Sequence, residues 1–409
     1  MKELLREYAR LSVKSGVNVQ KGQMVVINSP AECVELTRLI VEEAYLAGAG
    51  DVRVNFTDDI ISHHKYQYQT VEKLMEFPNW MIDKYQEIVD NKAALIEISA
   101  PTPGLMKDID PKKMQQVQIA SMQKIKFFRT YQMSDECQWN IVAMPTHAWA
   151  SAVFPDLSKE EAYTKLLEAI LSACRVQEGK SSVEAWDAHM DTLASHNQIM
   201  NEYNFRSLHF TNSLGTDLTV GLVKDHIWAG GAEYTGKGVR FSPNIPTEEM
   251  FTMPHRLEVE GTVYSSKPLN YSGNLIKDFM LRFEKGKVVE FHAAEAEEAL
   301  RSLVEFDEGS CYLGEVALVP YDSPISNSGI LFLNTLFDEN ASCHLALGRC
   351  YPMNIQGALS MSEEELLSKG GNQSMTHVDF MFGTSDMKVV GITQEGQEIV
   401  VMENGNFVI

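Results

Sequence analysis

A His-x-Asp pair near the carboxyl end of the sequence is the strongest candidate for metal chemistry. His377 and Asp379 lie in residues 375–383, where polar and apolar residues alternate as in a short β-strand. Side chains two positions apart share one face of a strand, so Val378 and Phe380 fall on the opposite, apolar face. An imidazole beside a carboxylate on a rigid strand suits a divalent metal ion. A buried histidine paired with an aspartate is the alternative interpretation.

Further ligand-type residues occur upstream of this pair. Glu248 and Glu249 are adjacent in a turn that follows a proline, and Glu315 stands at the start of an apolar strand. His344 falls in residues 338–348, which we predict to be a helix. A charged group among apolar neighbours requires a partner or a metal ion. Each residue by itself is therefore also consistent with an ion-paired position in the core.

Together these residues form a set that suits two metal ions. With the phenol of Tyr351, which follows the predicted helix, the set contains two imidazoles and, when one of the two adjacent glutamates is counted, three carboxylates. Two divalent ions about 3.5–4 Å apart are held in this way, with a bridging carboxylate and a bridging water. Oxygen and nitrogen ligands without a thiolate suit zinc, cobalt, manganese or magnesium.

Composition limits the classes of partner. The chain has 409 residues and a formal net charge of −21, so nucleic acid and anionic membranes would repel it. No stretch approaches the roughly 18 apolar residues that span a membrane, and residues 1–7 lack the apolar core of a signal peptide. The six cysteines are scattered without a Cys-x-x-Cys pair, which is typical of a reduced, cytoplasmic protein. We expect neither nucleic acid nor a membrane as a partner.

The first half of the chain has the alternation of an α/β domain. We predict a first helix over 3–15. A β-α-β unit with a right-handed crossover follows it, formed by a strand over 24–27, a helix that starts at Ser29-Pro30 and a strand over 51–56. Further strands are predicted over 94–99 and 140–144. No glycine-rich phosphate loop opens a helix, which argues against a dinucleotide site. Residues 1–190 are therefore predicted to be an α/β amino-terminal domain with a largely parallel sheet.

The pattern changes to short strands after two long helices. The helices are predicted over 157–176 and 183–203, and the domain boundary lies near them. A later helix is predicted over 295–304. The strands are predicted over 208–211, 218–222, 257–263, 273–283, 287–293, 316–320, 376–382, 388–392 and 398–402. Residues 191–409 are therefore predicted to be a mixed, largely antiparallel α+β catalytic domain that binds the metal.

Four long segments carry a resemblance to a known family. They are Asn-Ile-Pro-Thr-Glu-Glu-Met-Phe-Thr, Gly-Glu-Val-Ala-Leu-Val-Pro, Asn-Thr-Leu-Phe-Asp-Glu-Asn-Ala-Ser-Cys-His-Leu-Ala-Leu-Gly and His-Val-Asp-Phe-Met-Phe-Gly. The chain resembles, over essentially its whole length, the aminopeptidase T / aminopeptidase S family of bacterial metallo-aminopeptidases. Met250 stands where the family usually has valine, which is a mild change behind the site.

The resemblance implies a metal site, an assembly and an activity. It places the metal-binding positions of the family on Glu249, Glu315, His344, Tyr351, His377 and Asp379. It also implies two domains per chain, a homodimer with active sites that face an enclosed cavity, and release of single N-terminal amino acids from short peptides.

A mechanism follows as a hypothesis from this ligand set. Two metal ions would polarise the scissile carbonyl and lower the pKa of the bridging water toward neutrality. Glu248 is the candidate general base, because it precedes a ligand in a turn where neighbouring side chains converge. In an extended strand the two glutamates would point apart and Glu248 would be structural. Tyr351 would bind a metal ion or donate to the developing oxyanion.

Two other functions use the same residues. A different two-metal hydrolase, an amidase or a phosphoesterase, is one, although Arg256 and Lys237 offer a phosphate little cationic support. A metal-binding protein without turnover is the other, and the adjacent glutamates and Tyr351 argue against it, because a binding site needs no base.

Overall fold

The computed structural model describes residues 1–134, 136–271, 274–357 and 361–409. Within these residues the chain forms two compact units. Unit 1 contains Met1–Met190 and Ala232–Pro246, and unit 2 contains Asp191–Gly231 and Thr247–Ile409. Among the described helices, none has both the length and the apolar character that a membrane span requires.

Helices and strands alternate in unit 1, and strands dominate unit 2. The helices are α1 (Lys2–Leu11), α2 (Val34–Leu46), α3 (Asp59–Tyr68), α4 (Val71–Leu74), α5 (Asn79–Asp90), α6 (Pro111–Lys124), α7 (Lys126–Met133), α8 (His147–Val153), α9 (Lys159–Ala173), α10 (Ser182–Tyr203), α11 (Glu297–Val304), α12 (Pro324–Ser328), α13 (Thr335–Asp338) and α14 (Glu363–Ser368). The strands are β1 (Met24–Pro30), β2 (Asp51–Thr57), β3 (Ala94–Ser99), β4 (Trp139–Ala143), β5 (Ser207–Thr211), β6 (Asp217–Leu222), β7 (Glu233–Tyr234), β8 (Arg240–Phe241), β9 (Met250–Thr252), β10 (Pro254–Tyr264), β11 (Leu269–Tyr271), β12 (Asn274–Glu284), β13 (Lys287–Glu295), β14 (Leu313–Leu318), β15 (His344–Gly348), β16 (His377–Met381), β17 (Lys388–Ile392), β18 (Glu398–Glu403) and β19 (Asn406–Phe407).

Unit 1 is built on a parallel sheet of strand order β2-β1-β3-β4. The apolar run Val25-Val26-Ile27 of β1 is buried, as expected for a central parallel strand that is covered on both faces. The predicted α/β class is confirmed. The first helix ends earlier than predicted, because the chain passes at Ser12–Gly16 into one π-helical turn.

Unit 2 contains two antiparallel sheets. The larger has the order β11-β12-β10-β6-β5-β17-β18-β19, with β13 paired to β12, and the smaller has the order β16-β15-β14-β9. The predicted mixed, largely antiparallel class is confirmed. Gly273, where one strand was predicted to begin, lies outside the described residues, and β12 is described from Asn274.

The prediction of a helix over 338–348 is wrong. Helix α13 ends at Asp338, a 3-10 turn covers Glu339–Ala341, and His344 is the first residue of strand β15. The extended backbone of Ser342, with φ −169° and ψ 169°, separates the turn from the strand. Every residue of β15 is buried, and a short buried strand cannot be distinguished from a buried helical segment by its periodicity.

The edge strand β4 is fastened to helix α1 by one buried phenol. The Tyr8 hydroxyl donates to the carbonyl oxygen of Ala143 at 3.1 Å and accepts from the amide of Ala143 at 2.9 Å. Tyr45 offers a matched case at the other edge, where its half-exposed hydroxyl accepts from the amide of Val52 in β2 at 3.2 Å.

The substitution Tyr8→Phe is expected to lower the free energy of unfolding by about 1–3 kcal/mol, because it leaves a buried amide and a buried carbonyl without partners. The control Tyr45→Phe should change it by less than about 0.5 kcal/mol, since water replaces the lost bond. Urea unfolding followed by circular dichroism measures both. If both substitutions lowered the free energy of unfolding by the same amount, burial of the Tyr8 hydrogen bonds would add nothing to the stability that they provide.

Candidate metal centre

The small sheet of unit 2 brings the candidate ligands together. Glu249 immediately precedes β9, Glu315 lies in β14, His344 begins β15, and His377 and Asp379 lie in β16. The strands are neighbours in the order β16-β15-β14-β9. Each strand therefore carries or adjoins at least one ligand-type residue.

The register of the ladders puts these residues on one face. Glu315 pairs with Ala346, and Ala346 pairs with Asp379, so the three form a row across the sheet. Directly opposed residues have Cβ atoms about 4.5–5.5 Å apart. The small side chain of Ala346 is thus the one between the two carboxylates in this row.

The opposite face of the same strands is apolar and packs into the core. It carries Val316, Leu318, Leu345, Leu347 and Phe380, all of which belong to one buried cluster. The period-two alternation that the sequence predicted for β16 thus extends to β14 and β15. A rigid apolar layer holds the polar face in place.

A glycine permits the close approach of strands beside Glu315. The register shifts between Leu313 and Glu315, and a Cβ atom on Gly314 would lie 2.4 Å from the carbonyl oxygen of Gly348. No other residue type fits such a distance without displacement of the backbone. The irregularity sets where the Glu315 carboxylate emerges from β14.

Two groups of ligand atoms share the carboxylate of Glu315. In the first, Nε2 of His344 lies 3.1 Å from Oε2 of Glu249 and 3.5 Å from Oε1 of Glu315. In the second, Nε2 of His377 lies 3.7 Å from Oε2 of Glu315 and 3.4 Å from Oδ1 of Asp379. One ligand atom per residue in each group lies within 4.8 Å of the others. The two oxygens of Glu315 therefore face two different imidazoles.

Both imidazoles are oriented by the backbone. Nδ1 of His344 lies 3.2 Å from the carbonyl oxygen of Ser342, and Nδ1 of His377 lies 2.6 Å from that of Arg349. A carbonyl only accepts, so each Nδ1 carries the proton and donates it. Nε2 of each ring is then left to face the carboxylates, and after loss of its proton it would be available to a metal ion, which is the usual arrangement of a metal-binding histidine.

The electrostatics of the site favour a bound cation. Burial raises the pKa of Glu315, and the charges of Asp379 and Glu249 add to this rise. Burial acts in the same direction on Asp379, but its contact with His377 outweighs burial and lowers the pKa of that carboxyl. Oδ1 of Asp379 is buried and makes no hydrogen bond to the described residues. Crowded carboxylates that are buried or partly buried fit divalent metal ions, which would supply the missing positive charge.

Glu339 is a further acidic residue at this site, which the sequence analysis missed. Burial raises its pKa well above the usual value, and the charges of Glu249 and Asp379 raise it further. The residue lies in the 3-10 turn that follows α13. The acidic pair Asp338-Glu339 was visible in the sequence. The helix predicted over 338–348 did not indicate that the side chain of Glu339 lies near the ligand residues.

Tyr351 and Glu248, the two residues with predicted catalytic roles, differ in their position relative to the ligand groups. The ring of Tyr351 is 4.7 Å from that of His377, and burial, then Glu315 and Asp379, raise its pKa well above the usual value. Its phenol is therefore neutral at neutral pH in the absence of metal. Glu248 is buried and joins neither ligand group. Glu248 lies in a segment outside the strands. Successive side chains point to opposite faces only within a strand, so Glu248 and Glu249 are not required to point apart.

Three buried asparagines fix the backbone around the ligands, and the sequence analysis did not find them. Asn340 accepts the amide of Glu248 at 2.8 Å. Asn354, three residues after Tyr351, donates to the carbonyls of Ile227 and Phe251, each at 3.2 Å. Asn372 donates to the carbonyls of Gly309 at 2.8 Å and Gly348 at 2.6 Å. Side-chain amides thus replace regular ladder bonds where loops must turn at the site.

Arg256 has a structural contact of its own. Its guanidinium carbon lies 4.4 Å from the centroid of the Tyr312 ring. A cation stacked on an aromatic face is attracted by the ring quadrupole. The support that Arg256 lent to a phosphate-binding function is thereby weakened.

Metal binding at neutral pH is expected to release a proton from His377. Burial lowers the pKa of this imidazole, but Asp379 and Glu315 outweigh burial and raise it to about 9 in the metal-free protein. A metal ion requires Nε2 without its proton, so zinc affinity should increase with pH up to about 9. Calorimetric titration with zinc at pH 7, in two buffers of different ionisation enthalpy, counts the protons. The variant His377→Gln should release about one proton fewer, and an unchanged count would contradict this assignment.

Comparison with known proteins supplies the family. A family model described as thermophilic metalloprotease (M29) matches residues 1–407. Aminopeptidase AmpS of Bacillus subtilis (strain 168) is 46% identical over 98% of both chains. Aminopeptidase 2 of Geobacillus stearothermophilus is 43% identical over 98% of this chain and 97% of that protein. The structure of wild-type AmpT from Thermus thermophilus superposes with a TM-score of 0.92 at 38% identity and covers 100% of both chains.

The family match spans nearly the whole chain, and the resemblance to the aminopeptidase T / aminopeptidase S group is confirmed by these relatives. The fold agrees with that of AmpT in both units. Because the described residues also bring carboxylates and imidazoles into two groups that suit a metal ion, sequence, fold and site agree. The chain belongs to the M29 family of metalloproteases.

Proposed function

We propose that this protein is a metal-dependent aminopeptidase that releases N-terminal amino acids from short peptides at a centre of two divalent ions. The observation that carries the proposal is the shared carboxylate of Glu315, whose two oxygens face His344 on one side and His377 on the other. A bridging carboxylate between two sets of ligands is what a co-catalytic pair of metals requires. The names of the relatives supply the peptidase class.

The residues present define which groups would hold each ion. Glu249, Glu315 and His344 would hold one, and Glu315, His377 and Asp379 the other. Tyr351 is proposed as a further ligand or as a donor. The oxygen and nitrogen donors suit zinc or cobalt, and also manganese or magnesium. Bound there, the ions would supply a Lewis acid for the scissile carbonyl and an acidified water as the nucleophile.

The chain supplies the proton transfer. We propose Glu248 as the general base, because it is buried beside a ligand and Asn340 fixes its main chain. Tyr351, kept neutral by its acidic surroundings, would donate its phenolic proton in a hydrogen bond to the oxyanion that develops on the carbonyl. Glu248 is buried and Tyr351 is partly buried, which limits access of bulk water to the reacting groups.

We propose that the free α-amine of the substrate would lie on or near one of the two ions, which would restrict cleavage to the first residue. A blocked or internal peptide nitrogen lacks a free amine and would not take this position.

Location and assembly complete the proposal. All six cysteines are buried thiols and not disulfides, which supports the cytoplasm as the compartment.

Large apolar side chains are exposed at Ile60, Ile61, Tyr68 and Trp80 of unit 1, which supports the homodimer that the resemblance implies. We propose unit 2 as the metal-binding catalytic domain and unit 1 as the α/β domain, so that residues 232–246, within the predicted range 191–409, belong to the α/β domain.

The activity is tested with leucyl and arginyl anilides. We expect hydrolysis by the purified protein, loss of hydrolysis after chelation and recovery with cobalt. N-acetyl-leucyl anilide is the matched control and should not be cleaved, because it has no free α-amine. A phosphate ester tests the alternative hydrolase class. Absence of hydrolysis of every free-amine substrate by protein that holds two metal ions would overturn the aminopeptidase proposal.

The sharing of Glu315 predicts a pattern of metal content. The variant Glu315→Gln should lose both ions, because both groups lose a charged ligand, whereas Glu249→Gln and Asp379→Asn should each lose one. Elemental analysis of dialysed protein gives these ratios, with the exposed Glu364→Gln as control.

The metal content and kcat of the variant Glu248→Gln distinguish between a general base and a metal ligand at this position. It should keep both ions and lose at least about 100-fold in kcat, which is the usual contribution of a general base. Loss of metal from this variant would make Glu248 a ligand. Retention of one ion by Glu315→Gln would argue against the bridge.

A further inference from the structure

A cleft lies in unit 1, among residues that have no part in the metal centre. It has a volume of about 560 Å³, within the range of about 300–1,000 Å³ that is usual for small-molecule sites. Its wall is formed by the π-helical turn that follows α1, the end of α2, the start of α10 and the segment that contains β8. The side chains that matter for the argument are Lys14, Ser15, Asn18, Asp187, Arg240 and Ser242.

The backbone is irregular where it borders this cleft. Lys14 and Ser15 lie in the π-helical turn Ser12–Gly16, and Asn18 has a φ of +45°, in the left-handed region. The side-chain amide of Asn18 donates to the carbonyl oxygen of Arg240, in another part of the wall, at 2.8 Å. Single π-helical turns and left-handed residues other than glycine occur frequently at functional sites. These features mark the cleft as a candidate binding site.

Hydrogen bonds around Ser242 fix the wall of the cleft. The amide of Ser242 donates to the carbonyl oxygens of Ser15 at 3.0 Å and Gly16 at 2.8 Å, and its hydroxyl accepts from Nε1 of Trp186 at 3.0 Å. The exposed fractions of Ser15 and Ser242 are only 8% and 2%. Because these polar groups are held in place by the fold, a ligand would bind without the entropic cost of ordering them.

Opposite charges lie in this wall without pairing with each other. Oγ of Ser15 donates to Oδ1 of Asp187 at 3.0 Å, and within the part of the chain that the structure describes Oδ2 of Asp187 makes no hydrogen bond or ion pair. Lys14 likewise forms no ion pair with any described residue. Arg240 adds a second cation to the wall. A ligand with one anionic and one cationic group would therefore find a partner for each.

We propose that this cleft is a binding site for short peptides whose two ends are both free. Lys14 and Arg240 would bind the carboxylate of the peptide, and Asp187 would bind its α-ammonium group, in charge-assisted hydrogen bonds. The hydroxyls of Ser15 and Ser242 suit the hydrogen-bonding groups of a peptide chain. Inorganic phosphate would meet the same cations, but the carboxylate of Asp187 would repel it. The site goes beyond the proposed aminopeptidase function, because none of its residues belongs to the two ligand groups.

The test measures binding of leucyl-glycine by isothermal titration calorimetry. The protein is the variant Glu315→Gln in the presence of a chelator, so that no metal ion is bound and the peptide is not cleaved. We expect one site per chain in the cleft, and its dissociation constant should increase at least about tenfold when Lys14→Gln or Asp187→Asn is added, because each removes one charge that contacts the ligand. The controls Lys2→Gln and Glu184→Gln, at exposed positions outside the cleft, should leave the constant unchanged. Circular dichroism verifies that each variant is folded.

Blocked peptides test the chemistry of the ligand. Acetyl-leucyl-glycine lacks the ammonium group and leucyl-glycinamide lacks the carboxylate, so each should bind at least about tenfold more weakly than leucyl-glycine. Inorganic phosphate should not compete with the free peptide.

Several results would overturn the proposal. They are the absence of leucyl-glycine binding at millimolar concentration, affinity that either cleft variant leaves unchanged, equal affinity for free and blocked peptides, and competition by phosphate. Hydrolysis of leucyl anilide by the metal-loaded wild type is measured independently, so a failure of the aminopeptidase proposal is distinguishable from a failure of the cleft.

Discussion

The mutual repulsion of crowded carboxylates is the constraint on which the site depends. Glu249 and Glu315 are buried, Glu339 and Asp379 are partly buried, and the four influence one another's ionisation. Removal of an ion from water costs several kcal/mol even after relaxation. Two imidazoles offset part of this cost by accepting protons, and divalent ions at the same atoms would offset it more completely. The fold must therefore hold together a set of groups that, without a cation, repel each other.

The sheet β16-β15-β14-β9 meets this demand by separating its faces. Its apolar face is continuous with the main core of unit 2, so the strands cannot move apart without exposing Leu345, Leu347 and Phe380. Truncation of one such buried side chain typically costs about 2–5 kcal/mol. The asparagines at positions 340, 354 and 372 hold the loops where strand pairing ends. Hydrophobic burial thus provides the stability, and side-chain amides provide the local placement.

Much of this arrangement could be predicted from the sequence where the pattern was local. The alternation around His377 and Asp379 predicted a strand with a polar and an apolar face, and β16 has both. The β-α-β unit of the first 56 residues was recognisable from its buried strand and its helical periodicity. The predicted helix start at Ser29-Pro30 is wrong, because β1 continues to Pro30, a 3-10 turn covers Ala31–Cys33 and α2 begins at Val34 without a side-chain cap. Local periodicity was sufficient because each of these elements determines its own faces.

The errors arose where distant pairing decides the structure. The segment around His344 is rich in leucine and alanine, which favour a helix, yet it pairs with β14 and β16 as the central strand between them. Glu339 and the three asparagines act through contacts with residues far away in the chain. No local pattern distinguishes such residues from ordinary polar positions in loops.

The anchoring of both histidine rings to main-chain carbonyls has a further consequence. Because Ser342 and Arg349 fix the rings through Nδ1, the rotamer entropy of the imidazoles is lost during folding and not during ligation. The positions of both Nε2 atoms are then set by the fold before any ion binds. An ion would therefore bind without the entropic cost of ordering these two side chains.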